Sequence, residues 1–498
     1  MIKLQNSGIP VYLQIYNVIR DDIEAGRLVE GSRLDSERTL AKKLNINRAT
    51  VGHAYKKLED DGFLLARRGS GYVVTHQHLQ TALNLDIGSP RSRFSSPLAY
   101  IKHNDGLEFD DGLWRRSVIK REVSSSYYFV GTMTPTELCP VELLNSTIRT
   151  LIDEKGAALY DYCSSQGLQS LREEICRHLQ KKRINVTPSQ VIIGNEVMQL
   201  VDFLLNIYVN PGDLIITEEP IFIHVYQLFK LHGAEVKLIP MDEQGMRTDL
   251  LERELEKAKP KLLCVTPTCH NPTNATMSMD RRLHLATLAH RYGFPVIEWS
   301  HCGDLEPEDT DVIPLKAIDT NGFVIYINSF TMSFAQSIPI SYAVANTRVI
   351  SAVAKMIQMT VFQMNTLSQH IMATCLSNGS YKRHLSTVRA AYEEKARAMY
   401  GALRRCEHLG LTFREYPGGA VVWCRLPDYV NPAKLYVRAR EENIYYHPGK
   451  LFFPNSRHGK RYFRLSYLYP TVPEIEAGIA RLAELIREQR PQTEPDLS

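Results

Sequence analysis

A chain of 498 residues is too long for one small core, and 44% apolar with 23% charged residues is ordinary globular composition. A net charge of +4 excludes a molecule that is basic throughout, so any nucleic-acid contact belongs to a local surface; residues 1–75 hold twelve Lys/Arg against nine Asp/Glu. Nine cysteines without paired spacing exclude a disulfide framework, and neither a signal peptide nor a membrane span is legible, so a cytoplasmic protein with no membrane contact is expected.

In chain order, residues 11–25 place Leu13, Ile15, Ile19 and Ile23 at helical spacing, and Gly26 and Gly31 break the pattern. Ser36 is placed to cap a helix reaching Leu44. A turn at 45–47 leads to a second helix over 48–61, with Val51, Tyr55 and Leu58 on its apolar face. Gly62 ends it, and a hairpin follows whose tip is the basic run Arg67-Arg68-Gly69-Ser70-Gly71. Residues 76–108, with Ser/Pro-rich stretches and poor periodicity, are expected to be a linker between a domain at 1–75 and a domain at 109–498. The latter alternates apolar runs (190–193, 214–217, 261–265, 294–297, 323–327) with helical patterns, predicting a mostly parallel α/β sheet. Residues 197–209 read as a buried helix, and 380–490, with strands expected at 420–424 and 462–466, as a smaller α+β subdomain.

A helix-turn-helix with a basic hairpin is a DNA-reading device: the second helix enters the major groove N-terminus first. Asn47, Arg48, Thr50 and His53 lie at or just after that N-terminus. Arginine matches guanine bidentately and asparagine matches adenine. Arg33 and Arg38 are placed to neutralise phosphates, and Arg68, Gly69 and Ser70 form the wing tip. The runs Gly31-Ser32-Arg33-Leu34-Asp35-Ser36-Glu37-Arg38-Thr39-Leu40-Ala41, Arg48-Ala49-Thr50-Val51, Leu58-Glu59-Asp60-Asp61-Gly62-Phe63 and Gly69-Ser70-Gly71-Tyr72-Val73 resemble the GntR-type winged helix. That resemblance implies DNA contact through Arg38, Asn47, Arg48, Thr50 and the Gly69 wing. Asp35 departs from the proline usual in the family, and Gly52 from a frequent arginine.

The rest of the chain resembles fold-type I aminotransferases, through Gln166-Gly167-Leu168-Gln169-Ser170-Leu171-Arg172, Asn210-Pro211-Gly212-Asp213, Thr266-Pro267-Thr268-Cys269-His270-Asn271-Pro272-Thr273 and Phe463-Arg464-Leu465-Ser466. A GntR head on such a domain is the layout of MocR-type regulators. The resemblance implies a pyridoxal-phosphate site, but the residues that chemistry needs are altered. Met332 stands in the turn that carries the Schiff-base lysine, and no lysine lies between Lys316 and Lys355. Trp299-Ser300-His301 replaces the family's acidic-and-tyrosine pair, no arginine follows the turn at 337–342, and Glu196 enters the phosphate cup, where it would repel a dianion. Asn271, Phe222 and Arg464 survive at the phenolic-oxygen, stacking and substrate-carboxylate positions, each with a plain structural alternative as turn, core or ion-pair residue.

The expectation is a degenerate member of the group. It is a dimeric regulator of double-stranded operator DNA, not an enzyme, with no cofactor and a ligand pocket lined by Phe222, Asn271, Trp299, His301, Met332 and Arg464. Two alternatives stay open: a sensor holding pyridoxal phosphate without a Schiff base, and an active aminotransferase. Cys269-His270 and His301-Cys302 are expected on neighbouring loops, as a metal site, a redox pair or ordinary buried side chains.

Overall fold

The computed structural model describes residues 9–24, 27–29, 31–67, 71–75, 126–132, 134–306, 313–454 and 458–491. The expected linker, Gly26, and the wing-tip residues Arg68, Gly69 and Ser70 lie outside the described residues. The chain divides into two compact units, Met1–Lys102 and His103–Ser498.

In the first unit, helices α1 (Val11–Glu24), α2 (Glu37–Leu44) and α3 (Arg48–Asp60) precede strands β1 (Leu64–Arg67) and β2 (Gly71–Val74). Ile15, Ile19 and Ile23 recur every fourth residue and bury one stripe of α1 against Val51, Ala54 and Leu58 of α3. Ser36 caps α2 by accepting from the Thr39 N–H at 3.1 Å, and Asn45 closes it in the left-handed region. The hairpin pairs antiparallel, with Arg67 opposite Gly71.

The second unit opens with β3 (Tyr127–Tyr128), α4 (Val141–Lys155) and α5 (Gln169–Gln180). There follow β4 (Val191–Gly194), α6 (Val197–Tyr208), β5 (Leu214–Glu219), α7 (Ile223–Leu231), β6 (Glu235–Asp242), β7 (Gly245–Met246), α8 (Thr248–Leu255), β8 (Leu262–Val265), α9 (Met279–Tyr292), β9 (Val296–Trp299), α10 (Leu315–Ile318), β10 (Val324–Ser329) and β11 (Ser341–Val344). These strands form an eight-stranded sheet in the order β4-β11-β10-β9-β8-β5-β6-β7. The central run β10-β9-β8-β5-β6 is parallel throughout, while β11 and β7 pair antiparallel with their neighbours. Every residue of β4, β8, β9 and β11 is buried, as a sheet covered by helices on both faces requires. The apolar strand runs read from the sequence are these strands, shifted by one or two residues.

Helices α11 (Thr347–Thr360), α12 (Thr366–Ser377) and α13 (Ser380–Arg404) lead into the smaller subdomain. There β12 (Thr412–Phe413), β13 (Val421–Arg425), α14 (Pro432–Glu441), β14 (Ile444–Tyr445), β15 (His447–Pro448), β16 (Tyr462–Ser466) and α15 (Val472–Arg487) form an antiparallel sheet, β12-β13-β16-β15, with its helices. Strand β14 pairs instead with β3, from the other end of the unit. The architecture is a helix-turn-helix with a hairpin plus a domain of two parts, a large mostly parallel α/β part and a small α+β part.

Candidate functional site

In the head, α3 turns Arg48 and His53 to solvent and buries Val51, Ala54, Tyr55 and Leu58. Arg38 on α2 is exposed and Thr50 half-buried. Arg33 forms an isolated bridge with Val73, beside the hairpin. Two residues carry local duties the sequence reading did not assign. The Asn47 side chain caps α3, its Oδ1 accepting from the Ala49 N–H at 2.9 Å, so that oxygen is committed to the helix end. Arg48 Nε donates to Glu37 Oε2 at 3.0 Å, which holds the guanidinium extended across the two helices.

In the second unit, the loops after β5, β8 and β9 and the strand β16 bring their side chains together in one buried cluster. Arg464 is 3% exposed. Its Nη1 donates to Asn271 Oδ1 at 2.7 Å; its Nη2 donates to the Val130 carbonyl and to His447 Nδ1, both at 2.7 Å. Phe452 lies under the guanidinium at 5.3 Å. Nε has no partner, and among the described residues no carboxylate pairs with Arg464. Burial pulls the guanidinium down to about 9.

Asn271, fixed by Arg464 on its oxygen, presents its amide N–H to His301 Nε2 at 3.1 Å. His301 Nε2 therefore accepts and Nδ1 carries the proton; that Nδ1 is buried without a partner. Burial and then the Arg464 charge push His301 down to about 3, so it is neutral. His447 is lowered for the same two reasons, with His224 contributing. One buried cation thus stands between neutral imidazoles.

The rings of Phe222, Trp299 and His301 pack together: Trp299 meets His301 edge-on at 5.1 Å, and Phe222 lies 5.9 Å from Trp299 and 6.4 Å from His301. Trp299 is 7% exposed. Met332 lies in the turn after β10, half-buried, its carbonyl accepting from Thr134 Oγ1 at 2.6 Å. Glu196 precedes α6 without capping it; part of its side chain reaches solvent, and burial of the rest raises its carboxyl above the usual range. Asn195 Oδ1, at the same helix end, is buried without a partner.

The sequence reading missed four contributors. His447, Phe452 and the Val130 carbonyl come from short or irregular segments without a periodic signal. The fourth, Glu218, is the penultimate residue of β5 and only 3% exposed: its Oε2 accepts from the Thr266 N–H at 2.7 Å with His270 Nε2 at 3.6 Å, and Oε1 has no partner. Burial pushes it up to about 8, the Thr266 N–H and Arg282 working the other way.

The two cysteine loops do meet, with Cys302 Sγ 3.8 Å from the Cys269 carbonyl. Their histidines are engaged elsewhere, His270 by Thr273 at 2.9 Å and His301 by Asn271. Among the described residues no group of three or more His, Cys, Asp or Glu is arranged for a metal ion.

Residues 138–482 match the family described as aminotransferase class I and II, and residues 11–74 match the bacterial regulatory proteins of the gntR family. The chain is 26% identical to the uncharacterized HTH-type transcriptional regulator YisV of Bacillus subtilis, over 97% of both chains. It is 27% identical to the HTH-type transcriptional regulator TauR of Rhodobacter capsulatus, over 95% of this chain and 96% of that one. It is 30% identical to aromatic-amino-acid aminotransferase 1 of Thermococcus litoralis, over 74% of this chain and 89% of that one. The crystal structure of Pyrococcus horikoshii kynurenine aminotransferase superposes with a TM-score of 0.73 at 26% identity, covering 80% of this chain and 99% of that one.

Proposed function

The chain belongs to the class I and II aminotransferase family and carries a gntR-family head, and on that premise we propose that it is a transcription regulator whose aminotransferase domain has given up pyridoxal phosphate and senses a small carboxylate. The observation that carries the reading is Arg464: a buried cation with, among the described residues, no carboxylate partner and with two of its five N–H protons, those on Nε and the second on Nη1, unused.

The side chains do not fit the cofactor. Methionine at 332 cannot form an imine, and Trp299 offers a ring pyridinium no acidic partner. Trp299 and His301 pack edge-on at 5.1 Å in the stretch where the family has its acidic residue and tyrosine. The decisive experiment is to add pyridoxal phosphate to the purified protein, dialyse, and record visible absorbance before and after borohydride. No retained, reducible band is expected. A stoichiometric retained band overturns the reading and returns the protein to the pyridoxal-dependent sensors or enzymes.

DNA recognition is assigned to the exposed α3 face. Arg48→Ala is expected to weaken specific operator binding by about 1–3 kcal/mol and to relax base preference at one position. A loss equal on all sequences would make Arg48 a phosphate contact instead.

A winged helix of this kind reads paired half-sites as a dimer. The second unit offers the surface for a second copy: Tyr160, Tyr162, Met359 and Phe362 are 70%, 74%, 73% and 63% exposed. Tyr162 and Phe362 pack edge-on at 5.6 Å, an exposed apolar patch that needs a cover. Sedimentation of Phe362→Asp is expected to show a dimer dissociation constant raised by at least about tenfold; an unchanged dimer would put the interface elsewhere.

A further inference from the structure

Arg48 is the first residue of α3, a place where the helix itself disfavours it. The N-terminal end of a helix carries a partial positive charge, and the first turn of α3 holds no acidic residue to offset a cation there. The offset comes from the neighbouring helix. Glu37, in the first turn of α2 and eleven residues earlier in the chain, places Oε2 3.0 Å from Arg48 Nε. The arginine side chain is 69% exposed and that of the glutamate 26%. An ion pair so open to water adds little to the stability of a fold, so its main consequence is geometric.

Nε carries one of the five guanidinium N–H protons, and Glu37 holds it. Nη1 and Nη2 are left as the reading end of the fork. Two parallel bonds from that end match O6 and N7 of a guanine in the major groove. An unrestrained arginine gives up rotamer freedom when it reaches a base; one already held by Glu37 has given up part of it before DNA arrives.

Gly52 makes room for this contact. It lies one turn beyond Arg48, inside α3, where glycine weakens a helix through the freedom it loses on folding. A Cβ at that position would stand 3.6 Å from both Cδ and Oε1 of Glu37. A methyl group there would already touch the carboxylate, and a longer side chain would take its place.

We infer that Glu37 is a positioning residue of the DNA-reading head: through the Nε bond, across the space that Gly52 leaves, it sets Arg48 to read guanine end-on with Nη1 and Nη2. The inference rests on the assignment of Arg48 as a base reader made above.

The test is selection from a pool of randomised DNA duplexes by the full-length protein, then titration of the selected duplex and of copies changed at each base pair. Arg48→Ala is expected to lose discrimination at one position, a guanine in the sequence the parent selects. Glu37→Ala is expected to lower discrimination at that same position by at least about fivefold, with the other positions unchanged. Glu37→Gln, whose amide oxygen still accepts from Nε, is expected to restore most of it, and Gly52→Leu to reproduce the Glu37→Ala pattern. In the Arg48→Ala background, Glu37→Ala is expected to add no further loss. Thermal melts check that each variant keeps its fold. An unchanged preference in Glu37→Ala, an equal loss on every duplex, or additive losses in the double variant overturns the inference and leaves Arg48 a reader. A Gly52→Leu protein with the parent's preference removes Gly52 from it. An Arg48→Ala protein that keeps the parent's preference removes the reader itself, and the inference falls with it.

Discussion

Arg464→Met is expected to weaken binding of a small carboxylate effector by about 100-fold while leaving folding stability within about 1 kcal/mol of the parent. Two opposing terms set the second figure. The substitution removes three short hydrogen bonds, to Asn271, Val130 and His447, each worth about 1.5–3 kcal/mol when one partner is charged. It also removes a cation held in a buried site without a counter-charge, and that desolvation costs several kcal/mol. The fall of the guanidinium to about 9 records the same penalty: the fold would do better without the charge. Methionine keeps most of the volume, so no large cavity opens. A loss of 3–5 kcal/mol with effector binding intact would make Arg464 a structural residue and remove the basis for the pocket. Chemical denaturation and effector titration on one variant separate the outcomes.

The second large effect is on pH dependence. In the unfolded chain Glu218 ionises near the ordinary value of 4.5; in the folded protein it does so at about 8. Between those values the folded state holds a proton the unfolded state has released. Stability therefore falls as pH rises from 4.5 to 8 and levels off above. Glu218→Gln removes this slope and keeps an acceptor for the Thr266 N–H. The variant is expected to gain about 4 kcal/mol over the parent between pH 5 and pH 9, with about two-thirds of the gain accumulated below pH 7 and none added well above pH 8. Glu298, raised to about 7 by burial, contributes a slope of the same sign to both proteins and cancels in the difference. Parallel stability curves would mean Glu218 stays ionised, with water reaching its free Oε1.

What could be read in advance followed from local chemistry. Ser36 announces a helix start because its hydroxyl serves the Thr39 N–H three residues on, and the β4 and β8 runs announce buried strands because every residue after Gln190 and Lys261 at their starts is apolar. The pocket was half legible: Asn271, Trp299, His301 and Arg464 stood out by position, and the structure brings them together. His447 and Phe452 did not, because they belong to a two-residue strand and a single 3-10 turn, elements too short to carry a period. Asn47 carries a duty the sequence reading did not assign, because its residue type serves two ends. An asparagine before a helix is equally good as a base reader and as a cap, and in the protein its oxygen is the cap.

The residues that hold Arg464 are scattered along the chain. Val130 lies 334 residues before it and Asn271 193 before it, and Ser466 closes on Phe129 by a backbone bond of 2.7 Å. During synthesis the head, with its own core of α1 to α3, is complete hundreds of residues before the pocket can exist. A message cut short between the end of the head and codon 464 thus yields the α1 to α3 core without the Arg464 cluster. On the dimeric reading proposed above, such a fragment lacks the complete unit whose surface pairs two heads on an operator, so alleles of this kind are expected to behave as null rather than constitutive.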